Sequence, residues 1–164
     1  MTDQDRQHFQ AFRSNVMSAW KMPLFMLTKV PGAWWFGLRV QHLDEQVARV
    51  SVPYKWRTQN PFRSIYFVAQ CAAAEMSTAL HALAHLQQRK QVAMLVVSVN
   101  STYTKKANAL TTFECRDGER IRQAIDKAIE TGEAQTCTAL AIGTMPDGTE
   151  VSRIEATWSF KTRS

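Results

Sequence analysis

Apolar positions along the chain switch several times between helical and strand spacing. Near the N-terminus, Phe9, Phe12, Val16 and Trp20 recur every three or four residues, which predicts a helix over residues 7–20. Near the C-terminus, apolar and polar residues alternate through 149–161, which predicts a strand with one buried face. Applied to the whole chain, the pattern predicts helices at 7–20, 64–88 and 119–130 and strands at 34–40, 46–53, 92–105, 107–115, 133–144 and 149–161.

Turn and capping residues set the boundaries of these elements. Pro23 and Pro31 are expected to break the chain after the first helix, because proline cannot donate a main-chain hydrogen bond. Ser64 is expected to cap the long helix, and Gly132 to end the helix at 119–130. The six strands are expected to form three antiparallel hairpins: 34–40 with 46–53, 92–105 with 107–115, and 133–144 with 149–161.

The long helix is apolar nearly all the way round, which predicts a helix enclosed by other elements. Its polar residues and its alanine content argue against a membrane span. Glu75 is the only residue with a formal charge between 64 and 88. A buried carboxylate is costly unless it is paired or its pKa rises, and a raised pKa suits a general base or nucleophile. The alternative is that Glu75 is paired with a cation or faces solvent.

The chain has 164 residues and a formal charge of +6, which fits one globular domain that is neither disordered nor a disulfide scaffold. The charge comes from scattered residues, so it is either a solvated surface or an attraction for a polyanion or a phosphate-bearing ligand. Cys71, Cys115 and Cys137 are far apart, which predicts reduced thiols in a cytoplasmic protein. The polar N-terminus is unlike a signal peptide.

Two histidines one turn apart, His81 and His85, could share a metal ion. The sequence offers no third ligand near them and lacks the His-Glu-x-x-His pattern. We therefore expect two partly exposed histidines near the helix end instead. No metal or other cofactor is implied.

The segment from Asn60 to Glu75 reads Asn-Pro-Phe-Arg-Ser-Ile-Tyr-Phe-Val-Ala-Gln-Cys-Ala-Ala-Ala-Glu and resembles the loop and central helix of hot-dog-fold thioesterases. Residues 99–110 are similar to a strand pair of that family. The nearest likeness is to phenylacetate-pathway (PaaI-like) acyl-CoA thioesterases and to a poorly characterised thioesterase-like branch near them. The resemblance implies one α+β hot-dog domain over residues 1–164, with about six antiparallel strands curled around the central helix. The N-terminal helical extension, residues 1–30, and the helix at 119–130 look like additions to the minimal fold.

The resemblance also implies roles for particular residues. Asn60 matches a loop asparagine that shapes the site, and Glu75 matches a helix carboxylate that acts as base or nucleophile. The family's His-Gly-Gly is replaced here by Tyr66-Phe67-Val68, so the amides of Phe67 and Val68 are the expected oxyanion donors. The remaining expected substrate-binding residues are Arg63, Tyr66, Lys105 and Lys106, of which the three cations either meet the phosphates of CoA or are solvated.

The leading expectation is hydrolysis of an acyl-CoA or other acyl thioester by a homodimer or a dimer of dimers, with the site at a subunit interface. Dehydratases and hydratases of this fold need a histidine that residues 54–80 lack. A non-catalytic module that binds an acyl chain or acyl-CoA is the alternative, because the two glycines are missing. A third option is binding to a membrane surface or nucleic acid through the positive charge, but we expect neither nucleic-acid binding nor stable membrane insertion.

Overall fold

A single antiparallel sheet of six strands curls around a 20-residue helix. The structure is a computed structural model that describes residues 3–87 and 91–163. Its elements are α1 (Asp3–Val16), α2 (Lys21–Lys29), α3 (Pro31–Phe36), β1 (Arg39–Leu43), β2 (Ala48–Val52), α4 (Phe67–Leu86), β3 (Val92–Tyr103), β4 (Thr111–Cys115), α5 (Gly118–Thr131), β5 (Gln135–Thr144) and β6 (Glu150–Thr162). This is the α+β hot-dog architecture that the resemblance implies.

The strand order across the sheet is β1-β2-β4-β5-β6-β3. The predicted hairpins β1–β2 and β5–β6 are confirmed. The prediction that β3 pairs with β4 is wrong, because β3 pairs with β6 at one edge and β4 lies between β2 and β5. The intervening chain crosses the start of α4, where the Ile65 amide donates to the Ala107 carbonyl at 2.7 Å. Two apolar strands close in sequence therefore belong to different parts of the sheet.

The N-terminal segment is more helical than its prolines suggest. Pro23 is the third residue of α2, where a helix has no partner for the missing N–H, so the predicted break is wrong. Pro31 begins α3, which includes residues 34–36, so the strand predicted from Trp34 is also wrong there. Gly37 ends α3 in a left-handed conformation, φ 72°, and β1 follows.

The central helix α4 begins at Phe67, three residues later than predicted. Ser64 is not its cap, because the Ser64 hydroxyl is bonded to Asn60 instead. Tyr66 is the residue before the helix, with φ −57° and ψ 133°, and its side chain makes no capping bond. Gln88, the predicted last residue of this helix, lies outside the described residues, as do Arg89 and Lys90.

The core has two parts along α4. One runs along α4 from Ala69 to Ala84 and joins it to the three N-terminal helices, β1, β2 and parts of β4, β5 and β6. The other joins the second half of α4 to α5, β5 and β6. Ile121, Ile125 and Ala128 form the buried face of α5, and Gly132 ends that helix at φ 71°, as predicted. Within residues 3–87 and 91–163, no helix is long and apolar enough to cross a membrane.

Candidate active site

Glu75 lies in the middle of α4, between two contacts that hold this helix against the edge of the sheet. One turn earlier, Cys71 Sγ lies 3.1 Å from the Tyr103 hydroxyl and 3.9 Å from Ser101 Oγ, both on β3. Three residues later, Thr78 Oγ1 accepts a hydrogen bond from Trp158 Nε1 on β6 at 2.9 Å. Because residues three and four apart share a helix face, Glu75 faces this edge of the sheet.

The Glu75 carboxyl group is half-buried, and burial raises its pKa above the ordinary value. Among the residues that the structure describes, no side chain or amide forms a hydrogen bond or ion pair with this carboxylate. A carboxylate that is partly desolvated and unpaired is a stronger base than one in water. Glu75 thus has the electrostatic setting of a general base or nucleophile.

The start of α4 presents unpaired amide groups. The Phe67 and Val68 amides have no hydrogen-bond acceptor within the described part of the chain, whereas the Ala69 and Gln70 amides donate to the Tyr66 carbonyl. Helix geometry explains this, because the first amides of a helix have no partner within it and Tyr66 supplies no capping side chain. Free amides at the positive end of a helix can bind an anionic oxygen.

An aromatic cluster covers the same helix start. The Phe67 ring lies 4.9 Å from the Tyr66 ring and 6.4 Å from the Tyr103 ring, both in edge-on geometry. Burial, together with the hydrogen bond to Cys71, raises the pKa of Tyr103 to about 12, so its hydroxyl stays protonated. Half of the Phe67 side-chain surface is exposed, so this ring stands over the helix start instead of filling the core.

Sequence reasoning missed Cys71, Ser101 and Tyr103. Cys71 could have been found, because it lies four residues before Glu75 and therefore on the same face of α4. Ser101 and Tyr103 carry no such signal. Their position depends on the pairing of β3 with β6 and on the irregularity between Val96 and Ser98, neither of which the sequence pattern predicts.

Asn60 organises its own loop. Its side-chain oxygen accepts from the amides of Phe62 and Ser64 at 3.0 and 3.2 Å, and its Nδ2 donates to Ser64 Oγ at 3.1 Å. These bonds fix the turn that leads into α4, so Asn60 positions the chain just before the helix. Arg63 lies in this turn with a left-handed backbone, φ 59°, and an exposed side chain.

Three cations lie in the loops around the start of α4. Lys105 and Lys106 are exposed, and they precede Ala107, whose carbonyl accepts from Ile65 just before the helix. Arg63 lies two residues before Ile65. The structure thus brings the predicted cations to the end of α4 that carries the free amides. It does not bring Glu75 there, because eight residues of helix separate Glu75 from Phe67 by about 12 Å.

The two histidines of α4 have different surroundings. His81 is fully buried beneath Gly118, so the expectation of a partly exposed histidine is wrong for this residue. Burial lowers its pKa, which favours the neutral ring. The His85 ring packs against Phe9 with the ring centres 5.7 Å apart. Within residues 3–87 and 91–163, no three His, Cys, Asp or Glu side chains are grouped as metal ligands.

A comparison with known protein families identifies the family of the chain. Residues 18–160 match the model of a family described as a domain of unknown function, DUF4442. The chain belongs to the DUF4442 family. The DUF4442 match takes in α2, α3, the whole sheet up to residue 160 and every residue of the candidate site, while α1 precedes it. No curated protein sequence matches the chain.

Solved structures share the fold of this DUF4442 protein at low sequence identity. A Pseudomonas aeruginosa protein of unknown function, described as a "Probable Thioesterase", is 20% identical with a TM-score of 0.69, over 87% of this chain and 95% of that one. A thioesterase from Haemophilus influenzae is 15% identical with a TM-score of 0.64, over 85% and 88%. A Chlorobaculum tepidum protein of unknown function is 13% identical with a TM-score of 0.74, over 97% of both chains.

Proposed function

We propose that this DUF4442 protein is an acyl-CoA thioesterase in which Glu75 is the catalytic carboxylate. The observation that carries the proposal is the half-buried, unpaired Glu75 with its raised pKa, facing the open edge of the sheet. The thioesterases among the proteins of similar fold support the same class of reaction. The free cysteines Cys71, Cys115 and Cys137 fit a reducing, cytoplasmic location.

In the reaction we propose, Glu75 takes a proton from a water molecule whose oxygen attacks the thioester carbonyl carbon. The negative charge that develops on the carbonyl oxygen is stabilised by the amide of Phe67 or Val68. The C–S bond then breaks, and the proton held by Glu75 passes to the leaving sulfur. The products are a carboxylic acid and free thiol. Direct attack by Glu75, followed by hydrolysis of the anhydride, gives the same products.

The distance along α4 implies that two copies of the chain build each site. The backbone positions of Glu75 and Phe67 are about 12 Å apart along the helix axis in one chain, which is too far for the Glu75 side chain and the Phe67 amide to act on one carbonyl group. We infer that Glu75 of one protomer works with the helix start of its partner.

The edge strand β3 is the surface that supports such a dimer. It is 12 residues long, it ends the sheet, and it exposes Leu95, Val97 and Val99. Long apolar edge strands need a partner, because their unpaired N–H and C=O groups otherwise invite aggregation. A second copy of β3 would continue the sheet and bring two α4 helices face to face beside it. Arg63, Lys105 and Lys106 would then contact the phosphates of CoA near the helix start.

Thiol release from short, medium, long and aryl acyl-CoAs tests the proposal. We expect Glu75→Gln to lower kcat by about 10²–10⁴-fold with an unchanged fold, because it removes the proton acceptor but keeps the shape. Glu130→Gln is the matched control, since Glu130 is an exposed carboxylate at the end of α5. Release by wild type and by Glu130→Gln, lost in Glu75→Gln, supports the proposal. Equal rates in all three proteins contradict it.

One observation favours a second candidate, a non-catalytic module that binds an acyl chain or acyl-CoA. The aromatic side chains of Tyr66 and Phe67 stand over the helix start, where the thioesterase resemblance expects glycine. This candidate predicts saturable binding of acyl-CoA, measured by calorimetry, with no thiol release from wild type. Binding by Glu75→Gln would then match wild type.

A further inference from the structure

The N-terminal helices carry large apolar side chains that the fold leaves exposed. We call the surface formed by residues 20–36 and 55–57 the α2–α3 face. Its exposed apolar residues are Trp20, Leu24, Phe25, Leu27, Val30, Trp34, Trp35 and Trp56, each with at least 41% of its surface accessible. Four of the five tryptophans of the chain are in this set.

These residues form one surface, because the segments that carry them pack together. Met22 and Met26, on the opposite side of α2, are buried in the core and fix the helix with Leu24, Phe25 and Leu27 outward. The Arg57 guanidinium lies directly against Gly37 at the end of α3. Trp34 and Arg57 also line one cavity of about 380 Å³ with Met22 and Met26. Helix α2 is therefore apolar on both sides, and its outer side has no cover among the described residues.

Although the basic residues are spread along the sequence, the net positive charge falls in the N-terminal part of the chain, which includes the α2–α3 face. Residues 6–74 contain nine Lys and Arg against two Asp and Glu, whereas the rest of the chain has 11 and 12. No acidic residue occurs from 6 to 43. Lys21 and Lys29 stand at the two ends of α2, and Lys21 Nζ lies 5.6 Å from the centre of the Trp20 ring. The apolar residues of the α2–α3 face are thus rimmed by cations.

We propose that the α2–α3 face binds the surface of an anionic lipid bilayer. Tryptophan side chains prefer the depth of lipid headgroups, and an amphipathic helix with lysines beside its apolar face lies in the plane of that layer. The nine residues of α2 would insert Leu24, Phe25 and Leu27 while Lys21 and Lys29 reach the phosphates. This is binding at the surface, without a spanning segment, and it does not depend on the proposed thioesterase activity.

The charge and the apolar character of the α2–α3 face favour a bilayer over two other partners. A second copy of the same face would bring its lysines and arginines against their equivalents, and residues 6–43 contain no acidic side chain to neutralise them. Nucleic acid would satisfy the charge, but it offers nothing to cover Leu24 and Leu27. An anionic bilayer supplies both negative charge and hydrocarbon.

Co-sedimentation with vesicles tests the proposal, using phosphatidylcholine vesicles with and without phosphatidylglycerol. We expect binding only when phosphatidylglycerol is present, with a blue shift of tryptophan emission. The double variant Lys21→Gln/Lys29→Gln should lower the partition coefficient by about 25-fold, since each lysine near the surface contributes about fivefold. Leu24→Ser/Phe25→Ser should lower it by about tenfold or more, because both side chains lose their burial in lipid.

Matched controls are the exposed pair Lys127→Gln/Lys161→Gln and the exposed Leu110→Ser, which lie outside the face and should bind as wild type. Three results would overturn the proposal. The first is no binding of wild type to phosphatidylglycerol vesicles, and the second is equal losses in the control and test variants. The third is a change of sedimentation coefficient in Leu24→Ser/Phe25→Ser without vesicles, which would show that a second copy covers the face.

Discussion

The two halves of helix α4 have similar alanine-rich sequences but opposite surroundings. In the second half, residues 76–82 are all buried, and the hydroxyl group of Thr78 is held by the Glu75 carbonyl and Trp158. In the first half, Phe67 and Val68 are exposed, their amides are unpaired, and Glu75 lacks a partner among the described residues. The half that leaves its polar groups unsatisfied is the half to which we assign the proposed chemistry.

The difference comes from what covers each half. Helix α5 packs over the second half, where Gly118 at the start of α5 lies against His81. The first half faces the edge strand β3, which leaves Leu95, Val97 and Val99 exposed. The second half, which we call the closed half, is therefore covered within a single chain. The first half, which we call the open half, is left free on this side for the substrate or second chain that we propose.

The largest effect is expected in the open half of α4, from the substitution Phe67→Pro. Proline removes the candidate oxyanion donor, so kcat for thioester hydrolysis should fall by about 10²–10³-fold. The fold should persist, because proline is accepted at the first position of a helix and Tyr66 has the extended backbone that proline requires before it. Initial rates and urea unfolding measure both effects. Phe67→Ala is the control that keeps the amide, and an equal loss in that variant would contradict the assignment.

Two inactive variants should restore activity when they share a dimer. If Glu75→Gln and Phe67→Pro chains are unfolded together and refolded, half of the dimers are mixed. One of the two sites in each mixed dimer then has both groups intact, so about a quarter of the wild-type rate should return. Rates measured before and after refolding test this. A mixture that stays inactive, with mixed dimers shown by mass spectrometry, would mean that one chain supplies both groups.

At the closed half, Gly118→Ala should destabilise the protein by about 2 kcal/mol. An added Cβ would lie 2.7 Å from His81 Nδ1 and would clash with the Glu45 main-chain carbonyl, and the His81 ring is fully buried. Urea unfolding measures the loss. Gly32→Ala is the control, because a Cβ at Gly32 meets nothing within 4 Å. Equal stability of the two variants would show that α5 does not clamp the second half of α4.

The buried His81 should make the closed half sensitive to acid. Burial lowers its pKa in the folded protein, although Asp44 and Asp117 act in the opposite direction. Below about pH 6.5 the unfolded chain binds a proton that the folded chain does not, so stability falls as the pH falls. Between pH 7.5 and 5.5 this loss is at most about 1.4 kcal/mol. Urea unfolding of His81→Leu should show a shallower pH dependence than wild type, and an equal slope would contradict the prediction.

The amino-acid sequence predicts the closed half of α4 better than the open half. A long helix apolar nearly all round is enclosed, and the lone Glu75 within it stands out, so both the fold and the leading candidate residue could be predicted. The surroundings of Glu75 could not. They depend on β3 reaching the far edge of the sheet, and a local pattern of apolar residues does not specify which strands are neighbours.

The starts of the helices are the other feature that the sequence pattern predicts wrongly. Ser64 has the side chain of a cap, but Asn60 binds it in the loop, and α4 begins without a side-chain cap. Pro23 and Pro31 look like breaks, but each lies in the first turn of a helix, where no N–H is needed. In both cases the residue type alone does not specify the position in the turn, and in α4 the missing cap is what leaves the Phe67 amide free.

The smallest expected effect is the change in stability when the charge of Glu75 is removed. Since burial raises the pKa of Glu75, its ionised form is disfavoured in the folded protein, and its contribution to stability, present below about pH 4.5, is lost as the pH rises through the folded-state pKa. Glu75→Gln should therefore stabilise the protein by about 1 kcal/mol at pH 7, with a smaller gain at pH 5. Urea unfolding at both pH values measures this, with Glu130→Gln as the control.

A variant that is both inactive and more stable would identify Glu75 as a group kept for chemistry at the expense of stability. A destabilised variant would show instead that the Glu75 carboxylate has a structural partner, as Thr78 in the closed half has in Trp158.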